Sequence, residues 1–367
     1  MKNFSGFLFF LPAFLLTLIG LVSAYSFSLM KDDFFFFKKQ FFLTIFALLI
    51  FVLFSLIDYR VLKTSYLIFF IYVVVILLLL GLFFLSPQTR GTKSWYQFGY
   101  FSLDPSELAK FLVIIFLAKY FSTKHIEMYR LFHIGASGFL VFLPAVLIFF
   151  QPNFGSALLL IGIWIGVLLI SGIKLNHFLI ILGVFLLIGI FSWNFLLKDY
   201  QKQRIVSFLL PSTQNLGSGW QQFQSKIAIG SGGFWGLGFA KGFQVKYGFL
   251  PEAQTDFVFA KIAEEFGFLG IVILLSLFLI LLWKILKLAM ISQDNFSRLF
   301  CGAFAVSLFL QISINIGMNL GLLPVVGIPL PFLSYGGSNL VINYLCLGIL
   351  QNILKKSSFS ISFQKES

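Results

Sequence analysis

Long apolar blocks separated by short polar breaks fill almost the whole chain, at 7–29, 41–57, 66–85, 106–121, 134–150, 154–171, 178–197, 257–283, 298–318 and 338–354. A bilayer core takes about 20 apolar residues per spanning helix, so this pattern predicts about ten transmembrane helices. No block alternates apolar and polar residues as a barrel strand would, and backbone in lipid must satisfy its own hydrogen bonds. The fold class is therefore all-α, a polytopic membrane protein. Pro144, Pro152 and Pro324 interrupt apolar stretches, which leaves the boundaries loose by a few residues. No separate soluble domain has room to fold, and residues 1–367 read as one transmembrane domain. The end of the chain, 357–367, is short and polar and is expected to be mobile.

Composition agrees with this reading. With 59% hydrophobic residues, 11% charged residues and a mean hydropathy of +0.98, the chain lies far outside the range of soluble domains. The first block follows Lys2 as a signal peptide would, but it is too long and lacks a small-residue cleavage site, so it reads as a retained span. The 52 phenylalanines, four of them in the run Phe34 to Phe37, read as compositional bias and not as an aromatic ligand surface. Cys301 and Cys346 lie inside apolar blocks and read as buried small hydrophobes. Gly162 and Gly166 have the spacing of a helix-packing pair.

The distribution of lysine and arginine orients the chain. Lys2, Arg60, Lys63, Lys119, Lys124, Arg130, Lys174, Lys284, Lys287, Arg298, Lys355, Lys356 and Lys365 fall on one face, against Lys31, Lys38, Lys39, Arg90 and Lys93 in the short loops of the other. The positive-inside rule then puts both termini in the cytoplasm. Residues 198–256 form one long external loop with Lys198, Lys202, Arg204, Lys226, Lys241 and Lys246. Its apolar residues, among them Trp220, Phe234, Trp235 and Phe239, suggest partial re-entry along the membrane surface. Cations on this face call for an anionic partner, such as a lipid pyrophosphate. A second external segment, about 319–337, holds Pro324, Pro329 and Pro331 with Gly321, Gly327, Gly336 and Gly337. It cannot be a regular span and reads as a re-entrant segment lining a cavity.

His125, His133 and His177 all fall in or beside cytoplasmic loops, so acid–base chemistry on the outer face must use carboxylates. Asp32 and Asp33 sit beside Lys31, Lys38 and Lys39 and read as a solvated loop. Glu107 and Lys110 share a face at i, i+3 at the start of an apolar helix, where an ion pair is expected, either as a structural clasp or in contact with substrate. The richest stretch is Pro251 to Glu265. Thr255 is the expected N-cap of a helix in which Asp256, Glu264, Lys261 and Glu265 fall at roughly 0°, 80°, 140° and 180° on the wheel. Half of that helix then faces a polar cavity with Asp256 at its external mouth, or forms a purely structural polar cluster.

Four stretches carry a resemblance. They are Arg90-Gly91 to Trp95 with Pro105-Ser106-Glu107-Leu108-Ala109-Lys110, then Gln151-Pro152-Asn153-Phe154-Gly155-Ser156-Ala157, then Pro251 to Glu265, and Gly321 to Ser338. In this order they resemble the RodA/FtsW (SEDS) family of membrane glycosyltransferases. Gln224 to Gly233 followed by Trp235-Gly236, and Asp58-Tyr59-Arg60, are closer to the elongation branch, RodA, than to FtsW. Asp104, Asn153 and Gln254 depart from the Gln, Asp and His that commonly stand at those places in the family.

The resemblance implies a polymerase of lipid II, the undecaprenyl-pyrophosphate-linked disaccharide peptide, acting on the external face of the bacterial cytoplasmic membrane. It assigns Asp256 the catalytic role of general base. Glu107, Lys110, Lys246, Glu252, Lys261, Glu264, Ser334 and Ser338 are the candidate substrate-binding residues, with Lys246 and Lys110 the best placed to meet the leaving pyrophosphate. No metal ligands are assigned, although a divalent cation, Mg or Mn, would suit a pyrophosphate leaving group. A class B penicillin-binding protein, which is a transpeptidase, is the implied partner, and no nucleic acid is expected. Two other classes remain open: a flippase of lipid-linked precursor, which needs charges spread through the bilayer, and a non-enzymatic scaffold, which would survive loss of Asp256.

Overall fold

The computed structural model describes residues 9–64, 66–86, 94–98, 101–124, 131–195 and 218–366, with positions 197, 202 and 206 between. Arg90, Lys93, His125, Arg130, Lys198, Asp199 and Arg204 lie outside the described residues. The elements are α1 (Leu11–Lys31), α2 (Phe35–Leu56), α3 (Arg60–Thr64), α4 (Leu67–Leu85), β1 (Tyr96–Phe98), β2 (Phe101–Leu103), α5 (Pro105–Lys124), α6 (Leu131–Phe150), α7 (Phe154–Ile170), α8 (Leu175–Phe195), α9 (Ser218–Ser231), α10 (Phe243–Lys246), α11 (Val258–Ile291), α12 (Asn295–Leu320) and α13 (Gly337–Glu366).

Ten of these helices match the ten apolar blocks. Eight are long and apolar enough to cross a membrane, and α7 is a shorter apolar helix. The tenth, α5, carries Glu107, Lys110, Lys119 and Lys124. The protein is thus an all-α, multi-pass membrane protein, to which the sheet of β1 and β2 adds one antiparallel pair that hydropathy does not reveal. The polar end of the chain, expected to be mobile, continues α13 to Glu366, since neither Pro nor Gly follows Gly348 to stop it.

In the bundle α2 packs against α13 and α11 against α12, α12 also meets α5 and α7, and α1 lies against both α2 and α11. The Gly162 and Gly166 pair does what its spacing suggests. A Cβ at Gly162 would come within 2.8 Å of Leu310 Cδ1, and one at Gly166 within 2.4 Å of Val306 Cγ1, so α7 and α12 meet at these glycines. Phenylalanines are split between the core (Phe51, Phe121, Phe278) and lipid-facing positions (Phe42, Phe84), as bias in composition would distribute them. Cys301 and Cys346 are buried free thiols. Helix α8 buries none of its residues and touches its neighbours through Phe185, whose ring lies 5.9 Å from Phe142.

The segment expected to be re-entrant is irregular, as its prolines and glycines require. Helix α12 ends at Gly321, which caps it in the left-handed region (φ 77°), and residues 321–336 run without regular structure until α13 begins. The long loop, in its described part, holds α9 and α10, and α9 packs on α11 and α12.

Candidate functional site

Residues 251–257 are a chain of turns held by Thr255 N–H and Phe257 N–H, both donating to the Glu252 carbonyl at 3.1 and 3.2 Å. Here the structure corrects the sequence reading. Helix α11 starts at Val258, and Thr255 does not cap it: its hydroxyl donates to Glu252 Oε2 at 3.0 Å. Asp256 therefore precedes the helix instead of opening it.

Two asparagines one turn apart on α12 fix Asp256. Asn315 Nδ2 and Asn319 Nδ2 each donate to its carbonyl at 3.0 Å. Asn315 also donates to the Ile328 carbonyl at 2.8 Å, and Asn319 Oδ1 accepts from Ala260 N–H at 3.2 Å. The segment 321–336 closes over the same place. Ser334 Oγ donates to the Thr255 carbonyl at 2.5 Å and accepts from Leu330 N–H at 2.8 Å, while Tyr335 N–H donates to the Gln254 carbonyl at 2.8 Å. Gly327 (φ 71°) faces the Asp256 carboxylate; a Cβ there would sit 3.6 Å from Oδ2. The result is a half-buried carboxylate on a backbone locked from three sides.

A second polar cluster lies at the start of α5. Lys110 and Glu107 form the expected ion pair. Lys110 also donates to Gln311 Oε1 at 3.4 Å, and Asn339 Nδ2 donates to Glu107 Oε1 at 3.0 Å and to Gln311 Oε1 at 2.9 Å. Asn343 Nδ2 continues the chain to Asn339 Oδ1 at 2.8 Å. All of these side chains are buried. Ser338 Oγ accepts from Asp104 N–H at 3.1 Å and donates to the Ser102 carbonyl at 3.3 Å. Gln311 of this cluster lies one turn of α12 from Asn315, which holds Asp256. A Cβ at Gly155 would come within 2.4 Å of the Val326 carbonyl, and Ser156 is within 3.4 Å of Ser106. Asn153 caps α7 by accepting from Ser156 N–H at 3.3 Å.

The remaining candidates divide between buried braces and residues open at the surface. Lys261, Glu264 and Glu265 are at most 1% exposed and brace neighbouring elements in the manner of the structural cluster. Lys261 donates to the Ser23 carbonyl and to Ser23 Oγ on α1, and Ser26 Oγ donates to Glu265 Oε1 at 2.5 Å. Glu264 Oε1 accepts Gln244 N–H at 2.8 Å. The wheel misplaced them because Asp256 is outside the helix, so its angle has no meaning relative to theirs. Glu252 is half-buried in the turn beside Asp256. Lys246 is exposed, and its carbonyl accepts Lys31 Nζ at 3.1 Å. The amide of Gln254, where histidine is common in the family, is buried without a hydrogen bond among the described residues. His133 is buried against the Tyr120 hydroxyl. Among the described residues no three His, Cys, Asp or Glu side chains come together as a metal site.

Sequence reasoning missed Gln311, Asn315 and Asn319, which repeat at i, i+4 on α12, and Asn339 with Asn343 on α13. The signal was present: a carboxamide stripe in an apolar helix is costly to bury without partners.

Burial, followed by the neighbouring Glu107 carboxylate, pushes Asp104 from 3.8 up to about 7, against the Ser106 N–H that its Oδ1 accepts at 2.9 Å. Because the folded value is raised, the folded state binds more protons between the two values. The stability Asp104 contributes is full below about 4 and is lost as pH rises through about 7. Asp104→Asn keeps the acceptor for Ser106 and removes the titration. The unfolding temperature of the detergent-solubilised variant should then fall less between pH 5 and 8 than that of the unchanged protein; parallel curves would refute this.

Fold and site together define a multi-pass membrane protein with a fixed carboxylate at one end of its helices, roofed by a non-helical segment. The family model for FtsW, RodA and SpoVE, described as cell cycle protein, matches residues 6–359, and the chain belongs to that family. It is 38% identical over 287 residues to the peptidoglycan glycosyltransferase MrdB of Escherichia coli K12, covering 77% of this chain and 76% of that protein. Its fold is similar to a chain from a peptidoglycan synthase complex described as coordinating polymerization and crosslinking, with a TM-score of 0.81, 28% identity, and 94% and 97% of the two chains covered. The rod shape determining protein RodA of Thermus thermophilus is also similar, with a TM-score of 0.67, 26% identity, and 94% and 96% covered.

Proposed function

We propose that this chain polymerises lipid II into glycan strands for cell elongation, at the outer face of the bacterial cytoplasmic membrane and with both termini in the cytoplasm. The observation that carries this reading is the Asp256 carboxylate, half-buried, facing Gly327, on a backbone pinned by Asn315 and Asn319. The outer face has no nucleotide supply, so the donor must carry its own leaving group, and a glycan on undecaprenyl pyrophosphate does.

In the step we propose, Asp256 takes the proton of the acceptor sugar's 4-hydroxyl as its oxygen bonds to the donor's anomeric carbon. The bond from that carbon to the pyrophosphate oxygen breaks, undecaprenyl pyrophosphate leaves with the electron pair, and the centre inverts from α to β. Lys246 is the better cation for the leaving charge, since its ammonium is exposed while Lys110 is committed to Glu107 and Gln311. Ser334 and Ser338 serve the site by holding segment 321–336 and the start of α5 in place. The partner we infer is a class B penicillin-binding transpeptidase, because a polymerase that does not cross-link cannot finish wall.

Purified protein incubated with lipid II, alone and with such a transpeptidase, should give polymer resolvable on a gel. Absence of polymer in both conditions, from folded protein, would remove the reading. Orientation has its own check. A cysteine introduced near Ser218 should react with an impermeant thiol reagent on intact spheroplasts, and protection there would reverse the topology.

A further inference from the structure

The helical backbone of α11 breaks at Gly267 (φ 63°, ψ −160°), and the turn after α9 repairs it. Leu237 N–H and Gly238 N–H donate to the Glu264 and Glu265 carbonyls at 2.9 and 3.0 Å. Phe268 N–H and Leu269 N–H donate to the Gly233 and Phe234 carbonyls at 2.9 and 3.2 Å. Glycine is required for so close an approach, since a Cβ at Gly236 would lie 2.2 Å from the Glu265 carbonyl oxygen. Residues 233–238 are therefore built into α11 nine residues beyond its first residue, about 13 Å along its axis.

That depth has a consequence for the surroundings. The stretch 268–291, about 36 Å long, by itself spans a hydrocarbon core of about 30 Å. Gly267 then marks one boundary of the core. The exposed Trp283, beside Lys284 and Lys287, stands about 24 Å along the helix toward the other. At the Gly267 level the turn presents Trp235 (75% exposed) and Leu237 (41% exposed). The aromatic surface continues onto lipid-facing spans, with Phe234 5.9 Å from Phe268 of α11 and Phe239 stacked 6.2 Å from Tyr25 of α1. Lys241 is exposed a few residues further out.

We infer that residues 233–241 are a membrane-interface anchor, with Trp235 and Leu237 inserted among the phospholipid glycerol and upper acyl groups and Lys241 at the lipid phosphates. The occupant of this surface is the bilayer: its rings join the lipid-facing sides of α1 and α11, and aromatic residues followed by lysine match the order of apolar and anionic layers.

Nitroxide labels at Trp235→Cys, Leu237→Cys, Phe268→Cys and Lys241→Cys, with Cys301 and Cys346 changed to alanine, test it in vesicles of phosphatidylcholine and phosphatidylglycerol at 3:1. Labels at 235 and 237 should collide more with oxygen than with a water-soluble nickel chelate, as at 268, and the order should reverse at 241. Two exposed sites are used so that one poorly folding variant does not decide the matter. Dominance of the nickel chelate at 235 and 237 would place the turn in water. Protection from both reagents would mean that protein covers it. Either result overturns the anchor.

Discussion

Asp256→Asn should abolish most glycan polymerisation, by at least the about 10²–10⁴-fold typical of a lost general base, while leaving the protein inserted and at normal abundance. The carboxamide has the shape of the carboxylate and keeps its volume beside Gly327. What holds the residue is its backbone carbonyl, which accepts from Asn315 and Asn319, and those bonds are untouched by the substitution. That backbone anchoring does not depend on the carboxylate's charge, so the loss should appear in the rate of polymer formation from lipid II far more than in the unfolding temperature. An Asp256→Asn protein that polymerises lipid II near the unchanged rate would sink the mechanism and move the flippase or scaffold reading ahead.

Glu107→Gln should behave in the opposite way, destabilising the protein along with its activity. Lys110 is 2% exposed, and its ion-pair partner is Glu107. Neutralising Glu107 leaves a buried ammonium with the Gln311 carbonyl oxygen at 3.4 Å and a membrane around it. Breaking a buried pair from one side costs about 3–5 kcal/mol, whereas removing both charges with apolar groups of similar volume is often nearly neutral. The double variant Glu107→Gln, Lys110→Met should therefore recover most of the unfolding temperature lost by the single one, measured on detergent-solubilised protein. If Glu107→Gln instead lost activity at full thermal stability, the pair would be a substrate contact and not a clasp.

Much of the site was legible because lipid constrains what a sequence can do. Ten apolar blocks had to be helices, since spanning backbone has no water to bond to, and the prolines and glycines between Gly321 and Gly337 had to make a non-helical segment against protein. The i, i+3 spacing of Glu107 and Lys110 placed them on one helix face and made their pairing obligatory in an apolar setting. The Pro251 to Glu265 stretch marked where the acids gather. Local spacing, however, fixes only relations within one continuous element. Asp256 lies one residue ahead of the helix N-cap, so the wheel that joined it to Lys261, Glu264 and Glu265 was drawn through a turn.

Which neighbour each side chain meets was settled by contacts across long stretches of chain. Lys261 reaches Ser23 on α1, Glu264 takes the Gln244 amide, and Asn319 reaches the Asp256 carbonyl. The break at Gly267 belongs to the same class. Glycine permits the positive φ, but the kink persists because residues 233–238 supply hydrogen bonds that a continuous helix would make for itself. The sequence alone determined that the chain crosses the membrane many times, which stretches are irregular and which acids are few enough to matter. Tertiary structure decided which of those acids stays half-open and which are consumed as braces, because burial and partnership are properties of the assembled helices and not of any one of them.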